Sequence, residues 1–168
     1  MRKMIIIAVL ALGVWSAQAQ ELKGVELGKP ITVEGAKHHP DIGSHFFTTI
    51  GGVEGTIIAR TLNDGRVYSI IFVPTDEDLN IQRVHSVDVE TIVAGIENKF
   101  GIKLRKKSKD NYSDDYNYLT TKDGVQFFIK VDVNKFMDAP NNMSLMIVDL
   151  ELEKIADVEN KSRTNKDF

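Results

Sequence analysis

The chain of 168 residues carries 24 acidic and 21 basic side chains, a formal net charge of −3, and no cysteine. Without thiols, thiol catalysis, disulfide exchange and cysteine-ligated zinc are excluded, and the fold must rest on its own core. The mildly acidic balance argues against nucleic-acid binding, which depends on neutralising phosphates.

Arg2 and Lys3 precede an apolar stretch over residues 5–15, and Ala17 and Ala19 put small side chains at the two positions a signal peptidase reads. This pattern predicts a secretory signal peptide over residues 1–19, cleaved before Gln20. The apolar run is short for a membrane span, and no cysteine stands at the junction to take a lipid. The polar end "NKSRTNKDF" carries no lipid-anchor signal, and no later run is long enough to cross a bilayer. The expectation is a periplasmic or secreted chain. Loss of Arg2 and Lys3 takes its charge to −5. Residues 20–155 are expected as one domain and residues 156–168 as a polar C-terminal tail.

After a weak helical piece, "PITVEGAKHH", the pattern turns to strands. "FFTTI", Gly51-Gly52, "VEGTIIART", Asn63-Asp64-Gly65 and "RVYSIIFV" read as three antiparallel strands, and Asp-Gly supplies the positive φ angles of a two-residue hairpin. Pro74 ends the third strand. Val89, Ile92, Val93, Ile96 and Phe100 then fall on one helical face, which predicts the main helix over about residues 88–100. Ser86 or Asp88 can cap its start, and Gly101 is a left-handed stop. "DYNYLTT", Asp123-Gly124 and "VQFFIKVDV" form a second hairpin. "MSLMIVDLELEKI" follows as a last strand with Met146, Val148, Leu150 and Leu152 on one face. The predicted class is therefore α+β: an antiparallel sheet of about six strands in two meanders, with one main helix packed on one face. The order also suggests an internal duplication, each half a helical piece followed by three strands.

"LKGVELGKPIT", "GGVEGTII", "IENKFG" and "DGVQFFI" together resemble a group of small exported bacterial proteins. The order is also similar to the helix-then-three-strands unit of β-lactamase inhibitor proteins and of small outer-membrane assembly lipoproteins. The resemblance covers most of residues 20–168, through turns and caps, and brings no functional residue with it. It implies a binding or assembly module rather than an enzyme.

"HHPDIGSH", residues 38–45, raises a different chemistry. His38, His39, Asp41 and His45 are competent metal ligands; the adjacent His38 and His39 point different ways, so one of them joins Asp41 and His45, with His85 as a distant fourth. Their spacing matches no established motif, and the competing reading is a polar loop before the first strand. Ser44 and His45 are neighbours that face opposite ways on an extended chain, so they form no nucleophile–base pair. Glycines 51, 52 and 55 sit between strands and are no phosphate loop. The basic run "KLRKKSK" can contact anionic lipid or nucleic acid, but it adjoins an acidic block and reads as a solvated connection. Asp110, Asp114 and Asp115 lack the glycine and terminal glutamate of a calcium loop.

Tyr112, Tyr116 and Tyr118, set among Asp114 and Asp115, have the composition of a protein-binding surface, because tyrosine gives large contact area at small entropic cost. Alternating Tyr116 and Tyr118 equally fit one packed face of a strand. The polar connection at residues 76–78 is a second candidate surface. The expected function is a non-catalytic protein-binding module with a protein partner in the cell envelope and no cofactor: an inhibitor, an immunity-type partner or an assembly factor. The alternatives are a His/Asp metal-binding or metal-dependent hydrolytic protein, and a binder of small apolar or lipid ligands.

Overall fold

The computed structural model describes residues 20–40, 42–109, 114–134 and 140–164. The expected signal peptide, Asp41 and Tyr112 lie outside these residues. Strands β1 (Glu21–Leu22) and β2 (Val25–Glu26) make a small hairpin of their own. Then come β3 (Lys37–His39), β4 (Gly43–Ile50), β5 (Val53–Thr61) and β6 (Val67–Val73), followed by helix α1 (Ser86–Phe100). The second half runs β7 (Arg105–Ser108), β8 (Tyr116–Lys122), β9 (Val125–Asp132), β10 (Asn142–Asp149) and helix α2 (Leu150–Thr164).

The sheet has eight strands rather than six, in the order β3-β4-β5-β6-β10-β9-β8-β7, every pair antiparallel. The two additional strands are the edges. β3 reads KHH and β7 reads RKKS, all exposed, so neither has the apolar alternation that marks a strand in sequence. Backbone pairing with β4 and β8 makes them strands, and their cations discourage further pairing at the rim.

Each half is a meander of four strands followed by a helix, rather than a helical piece followed by three strands. "PITVEGAKHH" forms no helix: residues 30–36 are turn and irregular chain, and the rest is β3. The halves meet where β6 pairs with β10, Ile71 opposite Met146.

Helix α1 buries the five predicted side chains, Val89, Ile92, Val93, Ile96 and Phe100. It begins at Ser86, and neither Ser86 nor Asp88 caps it. The cap position is His85, without a side-chain bond, while Ser86 Oγ accepts from Asn141 Nδ2 at 3.2 Å. Gly101 closes the helix at φ 60°. The two Asp-Gly turns differ. Asp123 and Gly124 both have positive φ in a two-residue hairpin, whereas between β5 and β6 only Gly65 does, in a three-residue loop.

The last strand stops at Asp149, and the segment expected to continue it is helical. Asp149 Oδ1 accepts from the amides of Glu151 and Leu152, both at 3.0 Å, which is N-cap geometry. Leu152 and Ala156 then pack with Leu62 and Tyr68. Within β10, Met146 and Val148 do share one face, while Met143, Leu145 and Ile147 face the main core; Leu150 and Leu152 belong to α2 instead.

Candidate protein-binding surface

The register of the sheet sorts its side chains into two faces, because successive residues of a strand alternate. On one face Ile57, Phe72, Leu145, Ile129 and Tyr118 lie opposite one another across five strands. All five belong to the core cluster that α1 closes, and all but Tyr118 are fully buried. On the other face the corresponding row is Ile58, Ile71, Met146, Phe128 and Leu119. These five are half-buried and belong to neither core cluster.

The row continues to both edges of the sheet. His45 and Lys37 extend it through β4 and β3, and Arg105 ends it on β7. Phe47 and Val73 add half-buried apolar surface one pleat away. α2 contacts β6 and β10, and in the row on its side Ser69 and Val148 are buried. A register shift at Arg60/Thr61 leaves Tyr68 as the extra residue of a β-bulge. That kink turns Tyr68 toward α2 while Val67 enters the main core. Beside β4, Leu79 and Glu77 overhang a cleft of about 300 Å³ that also has Lys37, His45 and Phe47 in its walls. The uncovered part of this face is therefore an apolar stripe bounded by α2, by the connection after β6 and by basic edges.

Sequence reasoning did not single out this stripe, although a signal for it was there. A sheet covered on one face alternates apolar and polar residues. Here "TII", "SIIFV", "FFI" and "LMIV" are unbroken, so both faces carry apolar side chains.

The tyrosine-acid segment is tied into the opposite face. Tyr118 is 5% exposed and donates its hydroxyl to Glu90 of α1 at 2.5 Å. Burial, and then the Glu90 carboxylate, push its phenol far above the ordinary value. Tyr116 is half-buried, edge-on to Tyr118 with ring centroids 5.6 Å apart, and burial raises its phenol as well. Lys106 Nζ sits 3.8 Å from the Tyr116 centroid and 3.9 Å from Glu90, linking the cluster to β7. Asp115 accepts from the Val133 amide and pairs with Lys109, while Asp114 is exposed. Tyr116 and Tyr118 thus form the packed strand face that was one of the two readings.

The histidines are divided by the pleat. His38 lies opposite Ser44, with Nδ1 and Oγ 3.4 Å apart, whereas His45 lies opposite Lys37 on the other face. Among the described residues, no three His, Asp or Glu side chains converge to hold a metal ion. His45 Nδ1 is buried without a hydrogen-bond partner. His85 sits at the start of α1, away from β3 and β4 in the chain order.

The connection at residues 76–78 is a closed knot. Asp76 accepts from the amides of Asp78 and Asn80 at 3.1 and 2.8 Å and from the side chains of Asn80 and Gln82. The Asn80 bonds come first among the causes that hold its carboxyl below the ordinary range. Between α1 and the sheet the space is filled core. At its margin Leu22, Ile50, Ile92 and Ile96 line a cleft of about 360 Å³, with Gly51 and Gly95 leaving room for it. No family model, no curated protein and no solved structure matches the chain. Its functional reading therefore rests on the geometry of its own residues.

Proposed function

We propose that the protein is an exported, non-catalytic module that binds another protein through the uncovered face of its sheet. The observation that carries this reading is the row Ile58, Ile71, Met146, Phe128 and Leu119, which five adjacent strands present only partly buried and outside either core cluster. Contiguous apolar surface of this kind marks interaction sites on soluble proteins. Placement on the central strands of a sheet keeps it rigid, so little entropy is lost when it docks. Export rests on the charge and hydropathy pattern of residues 1–19, and the partner is expected in the cell envelope. An inhibitor, an immunity-type partner and an assembly factor all fit such a surface.

The test is crosslinking in the envelope with the chain tagged at its C-terminus, followed by mass spectrometry. One protein recovered in near-stoichiometric amount by wild type, retained by Tyr116→Ala and lost with Met146→Glu, is the expected result. Recovery unchanged by Met146→Glu, with loss on Tyr116→Ala, would move the site to the tyrosine-acid segment. No recovered protein would count against the reading as a whole.

A further inference from the structure

The charges around the apolar row narrow the kind of partner it fits. The strands place five cations on the uncovered face, Lys37, Arg60, Arg105, Lys107 and Lys130, against two acids, Glu54 and Asp132. Lys130 and Asp132 pair with each other at 2.7 Å. Lys37, Arg60, Arg105 and Lys107 are exposed and have no ion-pair partner among the described residues. With Glu77 of the connection beside Lys37 counted as a third acid, the face still carries more positive than negative charge, on a chain whose net charge is −3.

The arrangement is ordered. Lys37 and Arg105 occupy the two ends of the same register row that holds the five apolar side chains. At the usual strand spacing the apolar part is about 19 Å long and the two cations stand about 34 Å apart. His45 Nδ1, buried without a partner, lies beside Lys37 at one of those ends.

Resting on the protein-binding reading above, we propose that the partner is a protein surface with an apolar ridge flanked at both ends by carboxylates. Ile58, Ile71, Met146 and Phe128 take the ridge, and Lys37 with Arg60 on one side and Arg105 with Lys107 on the other read the acids. A second copy of this chain fits poorly, because aligned stacking of two such faces would set the cationic ends against each other. An anionic membrane fits less well than a protein. Insertion needs large apolar side chains that protrude, and the exposed ones, Leu79, Ile81, Val87, Ile155 and Val158, lie on the connections and helices.

The experiment is selection of a random peptide library displayed on phage against the full chain, held through its C-terminus. Enriched peptides are then measured by titration against wild type, Ile71→Asp, Phe128→Ser and the charge-reversed chain K37E/R60E/R105E/K107E, each checked by circular dichroism. The expected peptides have an apolar centre flanked by Asp or Glu. They should weaken at least about tenfold on the charge-reversed chain and in high salt, as steering between opposite charges requires. They should also lose binding to Phe128→Ser, and to Ile71→Asp where it folds. Neutral or basic flanks, with binding still dependent on Phe128, would overturn the acidic partner and leave the docking face standing. Peptides indifferent to both apolar substitutions would overturn the docking face too. Sedimentation of wild type, but not the charge-reversed chain, with phosphatidylglycerol vesicles would overturn the proposal in favour of a lipid surface.

Discussion

Phe127 and Phe128 are neighbours on β9 and point to opposite faces of the same sheet. Phe127 is fully buried, its ring centroid 5.0 Å from that of Phe100 in α1, while Phe128 is half-buried and packs into no core cluster. The same contrast holds for Ile57 against Ile58 and for Leu145 against Met146. One face is apolar because it holds the fold together. The other carries an apolar row across its centre without that reason, and so that row needs a different one.

Truncating the two phenylalanines tests this directly and should give the largest difference. Phe127→Ala is expected to cost about 3–5 kcal/mol, from lost transfer energy and the cavity left behind. Phe128→Ala should cost less, about 1–2 kcal/mol, since its side chain is only partly buried and leaves no closed cavity. Urea unfolding with an unchanged slope measures both. Equal costs would mean that the second face is covered as the first is.

A smaller effect is expected from Gly55, on the α1 face. A Cβ there would meet Val73 O at 2.5 Å and the Phe72 ring at 2.6 Å. Gly55→Ala should destabilise by about 1–3 kcal/mol through overpacking, because Phe72 has no vacant space to move into. Gly52, with nothing within 4 Å of its Cβ position, is the contrasting site, although its φ of 85° keeps a strain cost. Should Gly55→Ala prove neutral, the α1 face is looser than the fully buried Phe72 indicates.

Those two faces were unequally legible in the sequence. α1 was readable because five apolar residues keep helical phase over three turns, and Gly101 can stop it in the left-handed region. α2 was not, because Met146, Val148, Leu150 and Leu152 alternate as a strand would. The deciding residue is Asp149, whose carboxylate satisfies two amides that a strand would have paired with a neighbour. β3 and β7 were hidden because edge strands need no apolar alternation. For the candidate site, Tyr116 and Tyr118 were legible as a strand face. That Glu90, 28 positions away, takes the Tyr118 proton donor is a tertiary fact. The uncovered row could have been inferred from the unbroken apolar runs, but its register needed the pairing of all eight strands.

The bond between Tyr118 and Glu90 ties β8 to α1 and should be worth about 1 kcal/mol, the usual net value of a hydrogen bond with one partner near water. Tyr118→Phe should therefore lower stability by that amount in urea unfolding and leave partner recovery intact, since the bond lies on the covered face. The pH sense follows from the raised phenol. Its contribution is complete below the ordinary tyrosine value of 10.0 and is lost only as pH rises through the higher folded-state value. A loss of the partner on Tyr118→Phe would join the two faces in one function.

The smallest expected effect concerns the connection that borders the uncovered face. Asp76 is half-buried on a surface connection and its hydrogen bonds are all within residues 76–82, so they order the segment locally and Asp76→Ala should leave global unfolding nearly unchanged. Hydrogen exchange at the Asp78 and Asn80 amides, which donate to its carboxylate, should quicken. The same amides should respond to acid in wild type. With the carboxyl held below its ordinary 3.8, protection is complete above that value and is lost as pH falls through the lowered one. If Leu79, at the tip of this segment, helps to frame the docking face, Asp76→Ala should also weaken the partner while Phe127 and α1 stay as they were. Unaltered binding with faster exchange would confine recognition to the strands themselves.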